Sequence, residues 1–432
     1  MHILITGASG FIGSHLAQTL LAQGHSITAA VRNPAAITAR LPSIQTVQID
    51  FSCAHQPEDW IACLEGVDAV INAVGIIRET GHQTFQALHE QAPIALFQAC
   101  EIAKVQHVIQ ISALGADDQA QSQYHLTKRA ADDFLANSTL DWAILRPSIV
   151  YGPGARSMAF FKALAALPFT PLVNRGKQLI QPIHVSDLTT AVLQCLTPKG
   201  PSRMRIDLVG PEPVSFHSLM KRLRHWLGLG SLRPIYVPYE LTLSAAKLGG
   251  FLGGAPITPE TIQMLQRGNT GKVEDFIRHF DFKPRSLDEA LQAEPARQPD
   301  QWHAGLFFLR PLLRLSIALV WLTAGIVSAF IYPQAESYAL LSQVGITGSW
   351  AALSLYGAAA LDLLLGIATL TNRWLRIAAY GQLLTMLLYT VIITFFLPAL
   401  WAHPFGPVAK NLPLMAATLI MLVLERRTQW NS

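Results

Sequence analysis

Short apolar runs alternate with polar segments over the first third of the chain, and long uninterrupted apolar stretches fill its end. Up to about residue 150, the runs 2–6, 26–31, 44–49, 68–73, 107–112 and 141–146 read as buried strands. Between them, segments 11–23, 57–65, 84–103 and 124–137 carry apolar residues at the spacing of a helix face; in the first, Ile12, Leu16, Leu20 and Leu21 share one side. This alternation predicts an α/β domain with a doubly wound parallel sheet and helices on both faces, whose core is residues 1–150. Residues 151–291 are less regular and richer in Pro and Gly, as in Gly152-Pro153-Gly154 and Pro211-Glu212-Pro213. They suit a small substrate lobe that completes the fold. The polar stretch with Pro295 and Pro299 reads as a linker, 292–309.

Four apolar segments follow, at 312–332, 350–370, 375–397 and 407–424. The first three are long enough to span a bilayer as helices. The fourth reaches that length only by including Pro407, Lys410, Asn411 and Pro413, so its start is expected to be irregular or re-entrant. Arg310, Arg314, Arg373, Arg376, Arg426 and Arg427 fall on one side of four crossings, and Lys410 on the other. The positive-inside rule then predicts a multi-pass protein of the cell's inner (cytoplasmic) membrane, with the N-terminal domain and C-terminus in the cytoplasm and residues 310–432 as a four-helix transmembrane bundle in the lipid bilayer. A hydrophobic content of 51% agrees with this, and a net charge of +4 is too small and scattered to suggest a nucleic-acid partner. The four cysteines, Cys53, Cys63, Cys100 and Cys195, have no metal-ligand spacing and read as reduced thiols. No metal is expected. The opening strand lacks the charged, then apolar, pattern of a cleaved signal.

The chemistry starts at the first turn. Thr6-Gly7-Ala8-Ser9-Gly10-Phe11-Ile12-Gly13 lies between a strand and a helix. Its three glycines sit where a Rossmann-type fold needs a tight turn, close approach of backbone to a pyrophosphate, and tight helix–strand packing. The following helix N-terminus offers unpaired N–H groups to phosphate. Strand two ends Ala29-Ala30-Val31-Arg32, and no acidic residue lies in 24–40. An acid near that point would bind a ribose 2′-hydroxyl, whereas an Arg favours a 2′-phosphate, so NADP(H) is preferred over NAD(H). Asp50 and Phe51, after strand three, are candidates for the adenine. Asn72-Ala73-Val74-Gly75 ends strand four with the small residues that let a cofactor cross the sheet edge.

Tyr124 and Lys128 stand four residues apart on a helical segment, and hence on one face. A free Tyr hydroxyl, with a pKa of about 10, is a poor acid or base at neutral pH, and a neighbouring ammonium lowers that value. Lys128 can also reach the nicotinamide ribose. Ser112 ends strand five, placed to orient a substrate oxygen.

With Leu145-Arg-Pro-Ser-Ile-Val-Tyr-Gly-Pro-Gly154 and Pro182-Ile-His-Val-Ser-Asp187, these motifs make residues 1 to about 290 resemble a short-chain dehydrogenase/reductase of the extended or atypical type. The resemblance implies Tyr124 as acid/base, Lys128 as its partner and Ser112 as the orienting hydroxyl. It also implies a nicotinamide pocket lined by Pro147, Ile149 and Val150. The branch it most resembles contains the nucleotide-binding accessory subunit of respiratory complex I, some members of which bind NADPH without known turnover. His184 reads as a packing residue of the lobe rather than a ligand. Residues 310–432 resemble a DoxX-like four-helix membrane module, through Leu309-Arg-Pro-Leu-Leu-Arg314 with Trp321, Leu361-Asp362, and His403-Pro-Phe-Gly-Pro-Val-Ala-Lys-Asn-Leu-Pro-Leu414.

Asp362 sits mid-span, where a carboxylate needs a partner. Lys410 is one candidate partner, with Gln382 and His403 as polar neighbours. The group could serve a quinone head group or a proton path, or hold the bundle together. Trp350, Trp374, Trp401 and Tyr332 read as interfacial anchors. Three functions stay open. The first is a membrane-anchored NADP(H)-dependent oxidoreductase (or an epimerase or dehydratase of related chemistry) for a small molecule, with apolar or membrane-resident substrates favoured by the tether. The second is a non-catalytic NAD(P)H-binding assembly or stability factor for a membrane complex. The third is a quinone-linked or transport bundle regulated by the N-terminal domain.

Overall fold

A computed structural model describes residues 1–244 and 268–425 of the chain. It comprises two compact units, divided between Ala304 and Gly305. In the first, seven strands form the main sheet: β1 (His2–Thr6), β2 (Ser26–Val31), β3 (Gln45–Gln48), β4 (Ala69–Asn72), β5 (His107–Ile111), β6 (Asp141–Pro147) and β7 (Met204–Leu208). Their spatial order is β7-β6-β5-β4-β1-β2-β3, and every pairing is parallel. Chain direction across the sheet reverses between β1 and β4, the position at which such sheets bind ligands. A buried side-chain relay locks that edge: the Thr6 hydroxyl donates to Asn72 Oδ1 (2.6 Å), and Asn72 Nδ2 donates to Gln110 Oε1 (2.7 Å).

Helices α1 (Phe11–Ala22), α2 (Ala92–Ala103), α3 (Gln123–Ala136) and α4 (Val185–Cys195) cover the sheet. Alternate residues of β1 feed both layers, as a strand buried on two faces requires. Ile3 and Ile5 pack with Leu16 and Leu20 of α1 and Leu188 and Val192 of α4. Leu4 points the other way, among Trp60, Leu96, Phe97 and Leu135. All four cysteines are free thiols. The lobe contributes α5 (Phe216–Trp226) and two-stranded ribbons such as Thr170–Val173 with Pro234–Val237.

Three expectations change. The predicted helix 57–65 shortens to Glu58–Ile61, and 84–103 divides into a π-helical stretch, Gln86–Gln91, followed by α2. The wide turns come just ahead of Pro93, which has no N–H to give an i→i−4 bond. Strand β7, within the segment 151–291 read as the rest of the fold and the lobe, completes the main sheet beside β6. The linker 292–309 is largely helical, because α6 (Gln298–Ile326) begins inside it. Pro299, which suggested a break, stands in the first helical turn, where proline is tolerated. Asp300 accepts a bond from the Arg297 N–H (3.1 Å) and so caps that start.

In the second unit, α6 extends to Ile331 and is followed by α7 (Ser349–Leu370) and α8 (Leu375–Phe396). These three, of 34, 22 and 22 residues, are long and apolar enough to cross a membrane. The fourth, α9 (Asn411–Leu424), has 14 residues and follows turns that carry Pro404 and Pro407. A helix at Gln334–Gln343, unforeseen from sequence, joins α6 to α7. Leu322 packs on Gly366 and Gly325 on Leu363, so α6 and α7 run antiparallel. Arg310 (2.7 Å) and Arg314 (3.4 Å) both pair with Glu425, which brings the start of the first span and the end of the fourth to one end of the unit. Lys410 is exposed at the other end of α9. Arg426 and Arg427 lie outside the described residues.

Candidate active site

The glycine turn is shaped by contact. Gly7 has φ +69°, and a Cβ there would lie 2.7 Å from the Ala73 carbonyl oxygen. A Cβ on Gly13 would lie 2.2 Å from the Gly7 oxygen, so α1 rests directly on the turn. The Gly10 N–H donates to the Gly7 carbonyl (2.9 Å), and Gly10 caps α1 without a side chain. The first amides of α1, at Phe11, Ile12 and Gly13, therefore point outward unpaired beside exposed Ser9. Together with a helix dipole, this cradle fits a pyrophosphate. The residues present fit a dinucleotide.

Arg32 follows β2, is exposed, and makes no hydrogen bond or ion pair with the described residues. Asp50 follows β3 one strand further out. Bonds from the Ser52 hydroxyl (2.7 Å) and N–H (2.9 Å) hold its carboxyl below the usual range, with Arg32 assisting. The ring of Phe51, expected beside the nucleotide, is buried in the core, edge-on to Trp60 at 4.8 Å. Ala73, Val74 and Gly75 continue from β4 along the sheet edge that Thr6 and Asn72 hold. Pro147 closes β6, and Ile149 and Val150 follow it half-buried, with the Ile149 N–H held by Asn269 Oδ1 (2.8 Å).

Tyr124 and Lys128 lie on α3, which Ser122 caps by accepting the His125 N–H. Lys128 is almost wholly buried, and its Nζ donates to the carbonyls of Val74 and Ile111, both at 3.0 Å. The ammonium thus bridges the ends of β4 and β5. Burial pulls its pKa down to about 8, against an upward pull from Asp132. The Tyr124 ring stands edge-on to His89 (5.2 Å), His125 (5.0 Å) and Phe85 (5.9 Å). Its hydroxyl is pushed up to about 12 by burial and then by the Asp132 charge. That direction is opposite to the one expected from a neighbouring lysine, because burial and then the Asp132 charge disfavour the phenolate.

Ser112 is the residue expected to orient a substrate oxygen. It is buried, and its hydroxyl donates to Asp132 Oδ2, so that proton faces the helix. Asp132 itself escaped sequence reading, since Asp132-Asp133 resembles a solvated pair. Its signal was the spacing: Tyr124, Lys128 and Asp132 recur every four residues. His89 was also missed. It is fully buried on the π-helical stretch, where its Nε2 accepts the Ile76 N–H (3.0 Å). That bond leaves the ring proton on Nδ1, toward Thr127 Oγ1 at 3.5 Å. Burial and then Lys128 lower its pKa to about 2, so the ring is neutral. His184 packs as expected: it caps α4 and meets Tyr151 edge-on at 5.1 Å.

In the second unit, Asp362 is 7% exposed, and its Oδ1 has no hydrogen-bond partner among the described residues. None of the three suggested groups bonds to it. Lys410 and His403 are exposed, and the Gln382 amide donates instead to Thr369 Oγ1 (2.8 Å). Trp350, Trp374, Trp401 and Tyr332 are all exposed on this unit.

Comparison with known proteins agrees with this division. Residues 7–160 match the NAD(P)H-binding family model, and residues 318–419 match the DoxX-like family model. The chain thus joins a segment that matches an NAD(P)H-binding family to one that matches a DoxX-like family. Among curated relatives, a ceramide reductase of Caulobacter vibrioides is 25% identical over 291 residues, covering 67% of this chain and 87% of that protein. The mitochondrial NADH dehydrogenase [ubiquinone] 1 alpha subcomplex subunit 9 of Arabidopsis thaliana is 28% identical over 234 residues, 51% of this chain and 58% of that protein. UDP-glucuronic acid 4-epimerase from Bacillus cereus, solved with UDP-glucuronic acid and NAD, superposes with a TM-score of 0.53 at 22% identity, over 68% of this chain and 98% of its own. That last likeness is one of fold. The DoxX-like match and the three long apolar helices mark a membrane protein.

The buried histidines make stability depend on pH. His89 and His184 have folded pKa values of about 2 and about 4, below the ordinary 6.5, both chiefly through burial. Below pH 6.5 the unfolded chain takes up protons that the folded chain cannot. Each histidine then removes about 1.4 kcal/mol of stability per pH unit, and the full contribution returns above that pH. Thermal melting of the purified protein between pH 7 and pH 5 should show this slope, and His89→Asn should make it shallower.

Proposed function

We propose that the protein is a membrane-anchored NADP(H)-dependent oxidoreductase acting on a carbonyl or alcohol. The observation that carries this reading is the bridge made by Lys128 across the ends of β4 and β5, one helical turn from Tyr124 and on the sheet edge that bears the glycine cradle. In the proposed assignment the α1 amides hold the pyrophosphate, and Arg32 meets a 2′-phosphate. Ala73 to Gly75 and Pro147, Ile149 and Val150 border the nicotinamide. A bound nicotinamide supplies or accepts the hydride.

Lys128 uses two of its three N–H groups on carbonyls, and the third is left for a ribose hydroxyl. Tyr124 acts as the proton donor to the substrate oxygen. A phenol raised to about 12 is protonated at neutral pH, which suits reduction of a carbonyl better than oxidation of an alcohol. The tether favours an apolar or membrane-resident substrate, and the name of the ceramide reductase relative supports that class. The arginines gathered at one end of the bundle support the inner membrane, with the nucleotide-binding domain in the cytoplasm.

A second reading is a non-catalytic nucleotide-binding factor for a membrane complex. It draws on the complex I relative and on Ser112, whose proton is committed to Asp132. A quinone or lipid head group at Asp362 is the corresponding proposal for the bundle.

Tyr124→Phe separates the first two readings. NADPH oxidation supported by membrane lipid extract should fall at least about 100-fold, with NADPH affinity kept; unchanged cellular function with intact binding would favour the assembly factor. Arg32→Ala should weaken NADPH binding about 10- to 100-fold and leave NADH binding unchanged, as read by calorimetry. Equal losses for both nucleotides would remove Arg32 from the 2′-phosphate.

A further inference from the structure

Asp132 is fully buried on the third turn of the face that carries Tyr124 and Lys128. A carboxylate taken out of water in this way is costly unless a counter-charge and hydrogen bonds meet it. From the end of β5, the Ser112 hydroxyl donates to its Oδ2, while its Oδ1 has no hydrogen-bond partner among the described residues. From β7, Arg205 gives one nitrogen to the exposed Asp133 carboxylate (2.6 Å) and reaches the Asp132 backbone carbonyl at 3.4 Å, so its charge is largely matched by Asp133. From the π-helical stretch, His89 faces Lys128 as a neutral ring. Tyr124, on the same helix, is a neutral phenol. Lys128, one helical turn away on the same face and not in a direct ion pair with it, is therefore the buried positive charge that answers Asp132, and Asp132 supplies the full negative charge that the Val74 and Ile111 carbonyls do not.

We propose that Asp132 is a positioning residue of this centre, keeping the Lys128 ammonium charged and the Ser112 hydroxyl turned into the helix. The inference rests on the reading that Lys128 serves a nicotinamide nucleotide. Burial lowers the lysine to about 8, and Asp132 is what opposes that fall. With Asp132 neutral, Lys128 loses its proton at lower pH, and the nucleotide meets an amine with one donor fewer and no charge. Asp132, raised to about 6 by burial, becomes neutral only in acid, where Lys128 is protonated regardless.

The test is the dissociation constant of NADPH, measured by fluorescence across about pH 6 to 9.5 on the detergent-solubilised full chain. Wild-type affinity should decline on the alkaline side. In Asp132→Asn that decline should move down by about one pH unit, the size expected from removing a close opposite charge. Asp133→Asn, which neutralises the exposed neighbour, should leave it in place. Asp132→Ser is a second, smaller neutral replacement that still accepts the Ser112 proton. An unmoved alkaline decline in either folded neutral variant, or an equal shift in Asp133→Asn, overturns the inference alone. If neither neutral variant melts cooperatively, the wild type decides: a decline centred near the lysine's value of about 8 supports the account, and constant affinity throughout overturns it. Wild-type protein that binds no NADPH at any pH overturns the nucleotide reading, and this inference with it.

Discussion

A helix can start at residue 11, directly above the end of β1, because residue 13 carries no side chain. Any Cβ at Gly13 would overlap the Gly7 carbonyl, and any Cβ at Gly7 would overlap that of Ala73. The contact fixes three things together: the direction of α1, the outward aim of its first amides, and the closeness of β1 to β4 at the switch point of the sheet. The Thr6–Asn72–Gln110 relay then holds the same edge from below with buried side-chain hydrogen bonds. In the proposed binding mode, a dinucleotide laid along that edge would pass from the glycine turn to Gly75 and the lysine.

The reacting end is governed by burial rather than by surface charge. Lys128, Asp132, His89 and Ser112 are all nearly inaccessible to water: Lys128 bonds the Val74 and Ile111 carbonyls, Ser112 bonds Asp132, and His89 accepts the Ile76 N–H. In such an environment the lysine's effect on Tyr124 cannot be inferred from proximity alone. Burial and then the Asp132 charge raise the phenol and leave it protonated. A protonated Tyr124 beside a neutral His89 suits donation to a substrate oxygen.

Much of this was legible in the sequence where periodicity and chain direction coincide. Ile3, Leu4 and Ile5 announced a strand buried on both faces, and the glycine spacing announced the turn. The four-residue step from Tyr124 to Lys128 announced the shared face. The same step continues to Asp132, but a second acid beside it gave the pair the look of a solvated surface. His89 could not be placed because a π-helical stretch rotates side chains off the ordinary helical face. Phe51 was assigned by its position after β3, and the packing of its ring on Trp60 left no local signal in the sequence. Pro299 was read as a break because a proline in the first turn of a helix and one in a linker look alike until the capping Asp300 is seen. The pairing of Arg310 and Arg314 with Glu425 joins segments more than 100 residues apart, and local patterning carries no trace of it.

Calorimetric titration of NADPH into the full chain, wild type beside Gly13→Val, tests the central claim most directly, with melting curves confirming that both are folded. The account expects saturable binding of one nucleotide by the wild type and none by the valine variant, whose side chain would displace α1 from the turn. Absence of binding to the folded wild type, or undiminished affinity in folded Gly13→Val, would contradict it.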